Sequence, residues 1–274
     1  MEHDETAKLG VLGPPSRRVM RNWLRRHKKS LPTPIWQALA HIKRHWFGIW
    51  AQDSYAQNGE DLILQALFED KEPGFYVDVG AHHPKRYSNT YRLYCRGWRG
   101  LNIDAMPGSM RPFRRFRPRD INVEAAVASV SQELTFYIFE DLALNTCDRN
   151  LASEHAAEGR PPIREVLVQA VPLWKLLDQY VPRNIKIDLL TIDVEGLDFD
   201  VLESNDWARY APDYILVECL GMLPLDKICS NKVTQFLSEH HYSSIAKTIH
   251  TVLYKRNVPG DRKINQETNR ISIT

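Results

Sequence analysis

Short apolar segments that end in an acidic residue recur along the chain, with helix-like segments between them. Phe75-Tyr-Val-Asp-Val79 runs into Gly80, Leu101–Asp104 follows, and Asp188-Leu-Leu-Thr-Ile-Asp193 comes later. Strands apolar on both faces belong to a parallel sheet covered on both sides. The alternation of strand and helix therefore predicts an α/β fold with a mostly parallel sheet. A last pair, Ser243–Ile249 and Thr251–Lys255, predicts an antiparallel hairpin at one edge.

Other elements follow from local pattern. Strands are expected at Ile121–Ala128, Val166–Val171 and Tyr214–Cys219, with Leu134–Phe139 as a hairpin partner. Helices are expected through Asp61–Phe68 (capped by Asn58), from near Ser88-Asn89-Thr90, over Gly108–Arg117, over Leu173–Tyr180, around Phe199–Leu202 and over Lys232–His240. Residues 141–163 read as polar loop.

Charge divides the chain. Residues 1–50 hold ten Lys/Arg against three Asp/Glu, and residues 51–274 hold twenty-six against thirty-one. The expected organisation is a basic, partly helical extension at 1–50, one domain at 51–260 and a tail at 261–274. Arg17, Arg18, Arg21, Arg25, Arg26, Lys28 and Lys29 lie in a stretch without an acid. This run reads as a solvated face or leader, or as a contact with anionic lipid or nucleic acid. Thr33-Pro34 then opens an amphipathic helix with the stripe Ile35, Leu39, Ile42, Trp46, Ile49. Its tryptophans suit a membrane interface, or else pack on the main domain or a second subunit. Four scattered cysteines without a C-x-x-C pair argue against a disulfide scaffold or zinc ribbon and fit a reducing compartment. With no long apolar run and no apolar leader core, the expectation is a cytoplasmic protein.

In an open α/β sheet, ligands bind at the carboxyl ends of the strands. Asp78, Asp104 and Asp193 collect there. An acid at the end of the second strand suits ribose hydroxyls. The first turn, Asp78-Val-Gly-Ala-His-His-Pro84, has only Gly80 where a pyrophosphate loop wants G-x-G-x-x-G. A nucleotide-dependent oxidoreductase is thereby disfavoured, and a ligand with a ribose but no phosphate fits better.

A family resemblance emerges from five segments in order. They are Ser54-Tyr-Ala-Gln-Asn-Gly-Glu-Asp-Leu62; Gly74-Phe-Tyr-Val-Asp-Val-Gly-Ala-His-His-Pro84 with Ser88-Asn-Thr90; Gly97-Trp-Arg-Gly-Leu-Asn-Ile-Asp104; Asp188-Leu-Leu-Thr-Ile-Asp-Val-Glu-Gly196; and Ile215-Leu-Val-Glu-Cys219. Together, over roughly residues 54–255, they resemble the FkbM-type S-adenosylmethionine-dependent methyltransferases. The resemblance implies a class I methyltransferase (Rossmann-like) fold and O-methylation, often of sugars or polyketide-type metabolites. It implies that Asp78 and Gly80 hold the methionine end of the cofactor, with Gln57 and Glu60 near the same end. Asp104 matches the ribose acid. Glu124 falls at the adenine position, with Glu in place of the more usual Asn. Asp193 and Glu195 match the motif beside the transferred methyl. The helix start at Ser88 and Asn89 offers backbone N–H groups to the methionine carboxylate.

Methyl transfer to a hydroxyl needs alignment and a proton acceptor. The candidate bases are Asp193, Glu195, His82 and His83, with both histidines also readable as turn residues. Asp193 and Glu218 offer oxygen ligands if a divalent metal takes part, and Glu218 reads otherwise as structural. Arg111, Arg114, Arg115, Arg117 and Arg119 read as a solvated helix face, or as a contact for an anionic acceptor. Asn145 is a candidate for the acceptor pocket. The reading is an O-methyltransferase for a carbohydrate, glycolipid precursor or related metabolite. The alternative is a non-catalytic cofactor-binding or scaffolding module. Expected partners are the acceptor and an anionic membrane surface, not nucleic acid; an oligomer is compatible with the sequence.

Overall fold

The computed structural model describes residues 52–219 and 224–257. The chain divides between Asp53 and Ser54, and the fold is that of the unit beginning at Ser54. The basic run at 17–29, the stripe from Ile35 to Ile49 and the tail from 261 lie outside the described residues.

Five apolar residues make β1 (Phe75–Val79), and all five are buried. Alternate side chains leave a strand on opposite faces. Val77 and Val79 therefore face one side of the sheet, and Tyr76 and Asp78 the other. Beside β1 lie β2 (Arg99–Asp104) and then β3 (Ile121–Glu124), both parallel to it. On its other flank lies β7 (Leu189–Ile192), then β8 (Tyr214–Glu218), again parallel. β10 (Thr251–Arg256) and β9 (Tyr242–Lys247) complete the sheet antiparallel, in the order β3-β2-β1-β7-β8-β10-β9. The expected mostly parallel sheet with a closing antiparallel hairpin is thus present.

Helices cover both faces. α1 (Glu60–Leu67) packs Leu64, with Phe68 just beyond it, on Tyr76, Leu189, Leu216 and Leu253, and α2 (Tyr91–Cys95) adds Leu93. The opposite face joins Val77, Val79, Leu190, Ile192, Ile215 and Val217 to α5 (Leu173–Tyr180), α6 (Asp198–Glu203) and α7 (Lys232–Glu239). Each large side chain so buried is worth about 1.5–3 kcal/mol against exposure. Gly100 on β2 is required by packing: a Cβ there would stand 2.1 Å from the Tyr76 ring.

Five expectations are corrected. Ile121–Ala128 is two strands: the Ala125 N–H donates the last bond to β2, at the Asp104 carbonyl, and the next two residues pair elsewhere. β4 (Ala126–Val127) then joins a small second sheet, where β6 (Arg164–Val171) lies between it and β5 (Gln132–Ile138). The hairpin partner of β5 is therefore β6. Residues 141–163 contain α4 (Arg149–Ala157), whose N-cap Asp148 accepts from Asn150 and Leu151 N–H. α1 begins at Glu60 after left-handed Gly59, with no side-chain cap from Asn58. The segment α3 (Met110–Phe116) forms as expected, but Arg117 at its end is fully buried and belongs to no solvated face.

Candidate active site

The chain steps outward from β1 to β2 and β3, then crosses back to β7 and β8. The strand order reverses between β1 and β7, and the crevice at such a reversal is where ligands bind. A cavity of about 660 Å³ opens there. Its wall includes Gln57, Gly80, His82, Asp104, Asp193 and Glu195. Six of the eleven expected catalytic and cofactor residues thus converge on one space.

Gly80 lets the chain after β1 pass tight against the end of β7. Its φ is +82°, and a Cβ on it would stand 1.7 Å from the Asp193 carbonyl oxygen. His82 and Tyr87 follow with φ of 51° and 56°, and their rings stack. The third such residue on the cavity wall is Glu195, with φ 51°. Strained non-glycine backbone gathers at functional sites and persists only where surroundings enforce it. Here the enforcement is visible. His82 N–H donates to Asp104 Oδ2 at 2.8 Å, and Met106 N–H donates to Oδ1 at 2.9 Å. The Thr146 hydroxyl donates to the Glu195 carbonyl at 2.6 Å.

These bonds hold the Asp104 carboxylate at the end of β2, and each oxygen keeps further acceptor capacity. Burial raises its pKa, while the Met106 and His82 N–H groups oppose the shift. Burial lowers the pKa of His82, against the opposing pull of Asp104. His83 Nδ1 accepts from the Lys85 and Arg86 N–H groups and fixes the turn.

Asp193, Glu195 and Glu218 bring carboxylate oxygens within 4.8 Å of one another. Burial and then neighbouring charge push Asp193 up to about 7, Glu195 up to about 8 and Glu218 up to about 11. Carboxylates this close repel unless protons or a cation lie between them. Three oxygens of this kind are also donors suited to a hard divalent ion. Glu218 Oε2 is buried without a hydrogen-bond partner. The next turn is held by Asp198, which accepts from Val194 and Gly196 N–H.

The other expected cofactor residues stand off the cavity wall. Asp78 accepts from the Thr90 hydroxyl at 2.5 Å. Ser88 Oγ accepts from Tyr91 N–H at the start of α2, and Asn89 donates to Thr191. Glu60 accepts from the Thr248 hydroxyl and from Asn58 N–H, tying α1 to the closing hairpin. Glu124 is exposed and accepts from Gly108 N–H.

Asn145 does line the cavity, with its Oδ1 accepting from Phe139 N–H. Arg86, Tyr87, Met106 and Arg111 also line it, and sequence pattern singled out only the last. Nothing in the spacing of Met106 or Tyr87 marks them; their places come from the turns after β2 and β1. Cys147 is on the wall too, with burial pushing its thiol up to about 12, so it offers no thiolate.

An open sheet of this order, with an acid-lined crevice at its switch point, is that of a class I methyltransferase. Residues 78–244 match the methyltransferase FkbM domain, and the chain belongs to that family. It is an S-adenosylmethionine-dependent methyltransferase. Similar solved structures include a methyltransferase from Geobacter sulfurreducens, at 15% identity and a TM-score of 0.39, covering 89% of this chain and 98% of that one. Precorrin-6y C5,15-methyltransferase from Geobacter metallireducens is 13% identical with a TM-score of 0.38, covering 72% and 88%. Burkholderia thailandensis 1,6-didemethyltoxoflavin-N1-methyltransferase, solved with S-adenosylhomocysteine, is 11% identical with a TM-score of 0.37, covering 90% and 94%. No curated protein matches the chain.

Proposed function

We propose that the chain methylates a hydroxyl of a carbohydrate, glycolipid precursor or related metabolite. The observation that carries this reading is the pair of carboxylates on the cavity wall, Asp193 and Glu195, with proton affinities raised to near neutral pH. A base matched to the working pH is what removal of a hydroxyl proton asks for. The wall beside them is polar, with Arg86, Arg111, Glu140, Asp141 and Asn145. Such a wall suits an acceptor carrying many hydroxyls.

The residues fit the cofactor. Gly80 lets the ends of β1 and β7 meet at the cavity wall, and Asp104 ends β2 with acceptor capacity for two ribose hydroxyls. Gln57 and the His82 turn would face the methionine end. When bound, S-adenosylmethionine supplies an electrophilic methyl group on a cationic sulfur. Asp193 and Glu195 would face that cation, and carboxylates stabilise it. Asp193 then takes the acceptor proton, while the strained Glu195 turn holds the second carboxylate beside it.

Incubation with methyl-labelled cofactor and fractionated cell-envelope saccharides tests the reading. A labelled saccharide that keeps its methyl group after mild base carries an ether and supports it. A base-labile product is an ester and contradicts it, as does labelling confined to fractions without sugar.

We further propose that residues 1–50 bring the enzyme to the cytoplasmic face of an anionic membrane. The support is the sequence alone: seven Lys/Arg in residues 17–29 beside a tryptophan-bearing apolar stripe. Among the described residues, no helix is long and apolar enough to cross a membrane.

A further inference from the structure

The loop that brings His82, Arg86 and Tyr87 to the cavity leaves β1 at Gly80 and enters α2 at Thr90. Its two roots are joined by a side chain from elsewhere. Arg117 is 0% exposed. Its Nε donates to Asp120 at 2.8 Å, and its Nη2 donates to the Tyr76 hydroxyl at 2.6 Å. The same Nη2 donates to the Thr90 hydroxyl at 2.9 Å, and Nη1 donates to the Ser88 hydroxyl at 3.3 Å. The Thr90 hydroxyl in turn donates to Asp78. The rings of Tyr76, Tyr94 and Phe113 enclose the guanidinium at 5.3, 5.5 and 5.5 Å.

A buried cation is costly unless paired and hydrogen-bonded. Asp120 and Tyr76 answer that need inside the core. The bonds to Ser88 and Thr90 do something further. They tie the far root of the loop, through Thr90, to Asp78 in β1, two residues before the loop begins. The planar fork of arginine reaches both sides at once, which a lysine cannot do. Register extends the arrangement: Asp78 lies between Asn102 on β2 and Thr191 on β7, and these bond Asn122 and Asn89. One polar row therefore crosses four strands beneath the cavity.

We propose that Arg117, acting through Thr90 and Ser88, is the positioning residue that holds loop 80–90 in its cofactor-binding shape. The inference rests on the reading that this cavity seats the cofactor. Thr90→Val removes both bonds at nearly constant shape. It costs no helix cap, since the Thr90 side chain makes no capping bond.

The test compares wild type, Thr90→Val, Thr90→Ser and Arg117→Lys, with Asp104→Ala as reference for the cavity itself. S-adenosylmethionine binding is measured by calorimetry, and amide exchange is followed across the chain. Thr90→Val and Arg117→Lys should each raise Kd about tenfold or more and speed exchange within residues 81–89, not across the sheet. Thr90→Ser should restore both. A Thr90→Val protein with wild-type Kd and wild-type loop exchange overturns the inference, even if Asp104→Ala binds weakly. An Asp104→Ala protein with unchanged Kd overturns the cavity reading instead, and loop exchange alone then decides the role of Arg117. If Arg117→Lys does not fold, the two Thr90 variants decide.

Discussion

Gly80 and Asp193 meet so closely that a Cβ on the first would stand 1.7 Å from the carbonyl oxygen of the second. The Asp193 N–H also donates to the Val79 carbonyl at 3.0 Å. The two strand ends at the switch point thus share one tight backbone junction, and the Asp193 side chain is aimed from it. Gly80→Ala should break the junction, because it adds a clash to a left-handed backbone. Strain of this kind costs about 1–3 kcal/mol before the clash is counted. Urea unfolding should show a loss of at least about 2 kcal/mol, together with weakened cofactor binding. A stable variant with normal binding would remove Gly80 from the site.

Asp193→Asn keeps the shape of the side chain and removes the base. Turnover on the saccharide acceptor should fall far more than cofactor affinity, by roughly 100-fold or more, the range of general-base contributions. His82→Ala should cost less, since His82 lies in a turn already fixed through its backbone N–H. Abolished turnover in His82→Ala with retained turnover in Asp193→Asn would transfer the proton role to the histidine.

Burial raises the Asp78 pKa to about 6, against the opposing pull of Arg117 and the Thr90 hydroxyl. Between the ordinary carboxylate pKa and 6, the native state holds a proton that the unfolded state has released. Stability then declines as pH rises through that window. Wild type measured against Asp78→Asn should therefore lose relative stability from about pH 4 to pH 6 and level off above. A rise over the same interval would mean that the ionised carboxylate is favoured in the fold.

The N-terminal arm gives a separable prediction. Basic residues near an anionic surface contribute about 1 kcal/mol each, and a short apolar face adds a modest, reversible term. The full chain should sediment with anionic vesicles at low salt and release at high salt. A variant lacking residues 1–50 should stay in solution with its unfolding transition unchanged. Absence of binding at low salt, or loss of folding in the deletion, would favour packing of the arm on protein.

Legibility in the sequence follows the physics of each element. Central strands such as Phe75–Val79 and Leu189–Ile192 are buried on both faces, so their apolar runs and terminal acids stand out. Gly80, Asp104, Asp193 and Glu195 are legible for the same reason, because strand ends place them. The split at Ala125 is invisible, since a change of partner strand from β2 to β6 leaves the apolar pattern of 121–128 unbroken. α4 hides in a polar stretch, although Asp148 before Arg149-Asn-Leu-Ala-Ser-Glu is a readable N-cap. Arg117 is indistinguishable by composition from the exposed Arg114 and Arg115. Only Asp120 three residues on hinted at a buried pair.

The cofactor seat is tested most directly by calorimetric titration of S-adenosylmethionine into wild type and Asp104→Ala. Loss of charged hydrogen bonds to ribose should cost about 2–3 kcal/mol, a Kd raised roughly 30- to 150-fold. Circular dichroism should show the variant folded. An Asp104→Ala protein that is folded and binds with the wild-type Kd would place the cofactor outside this cavity.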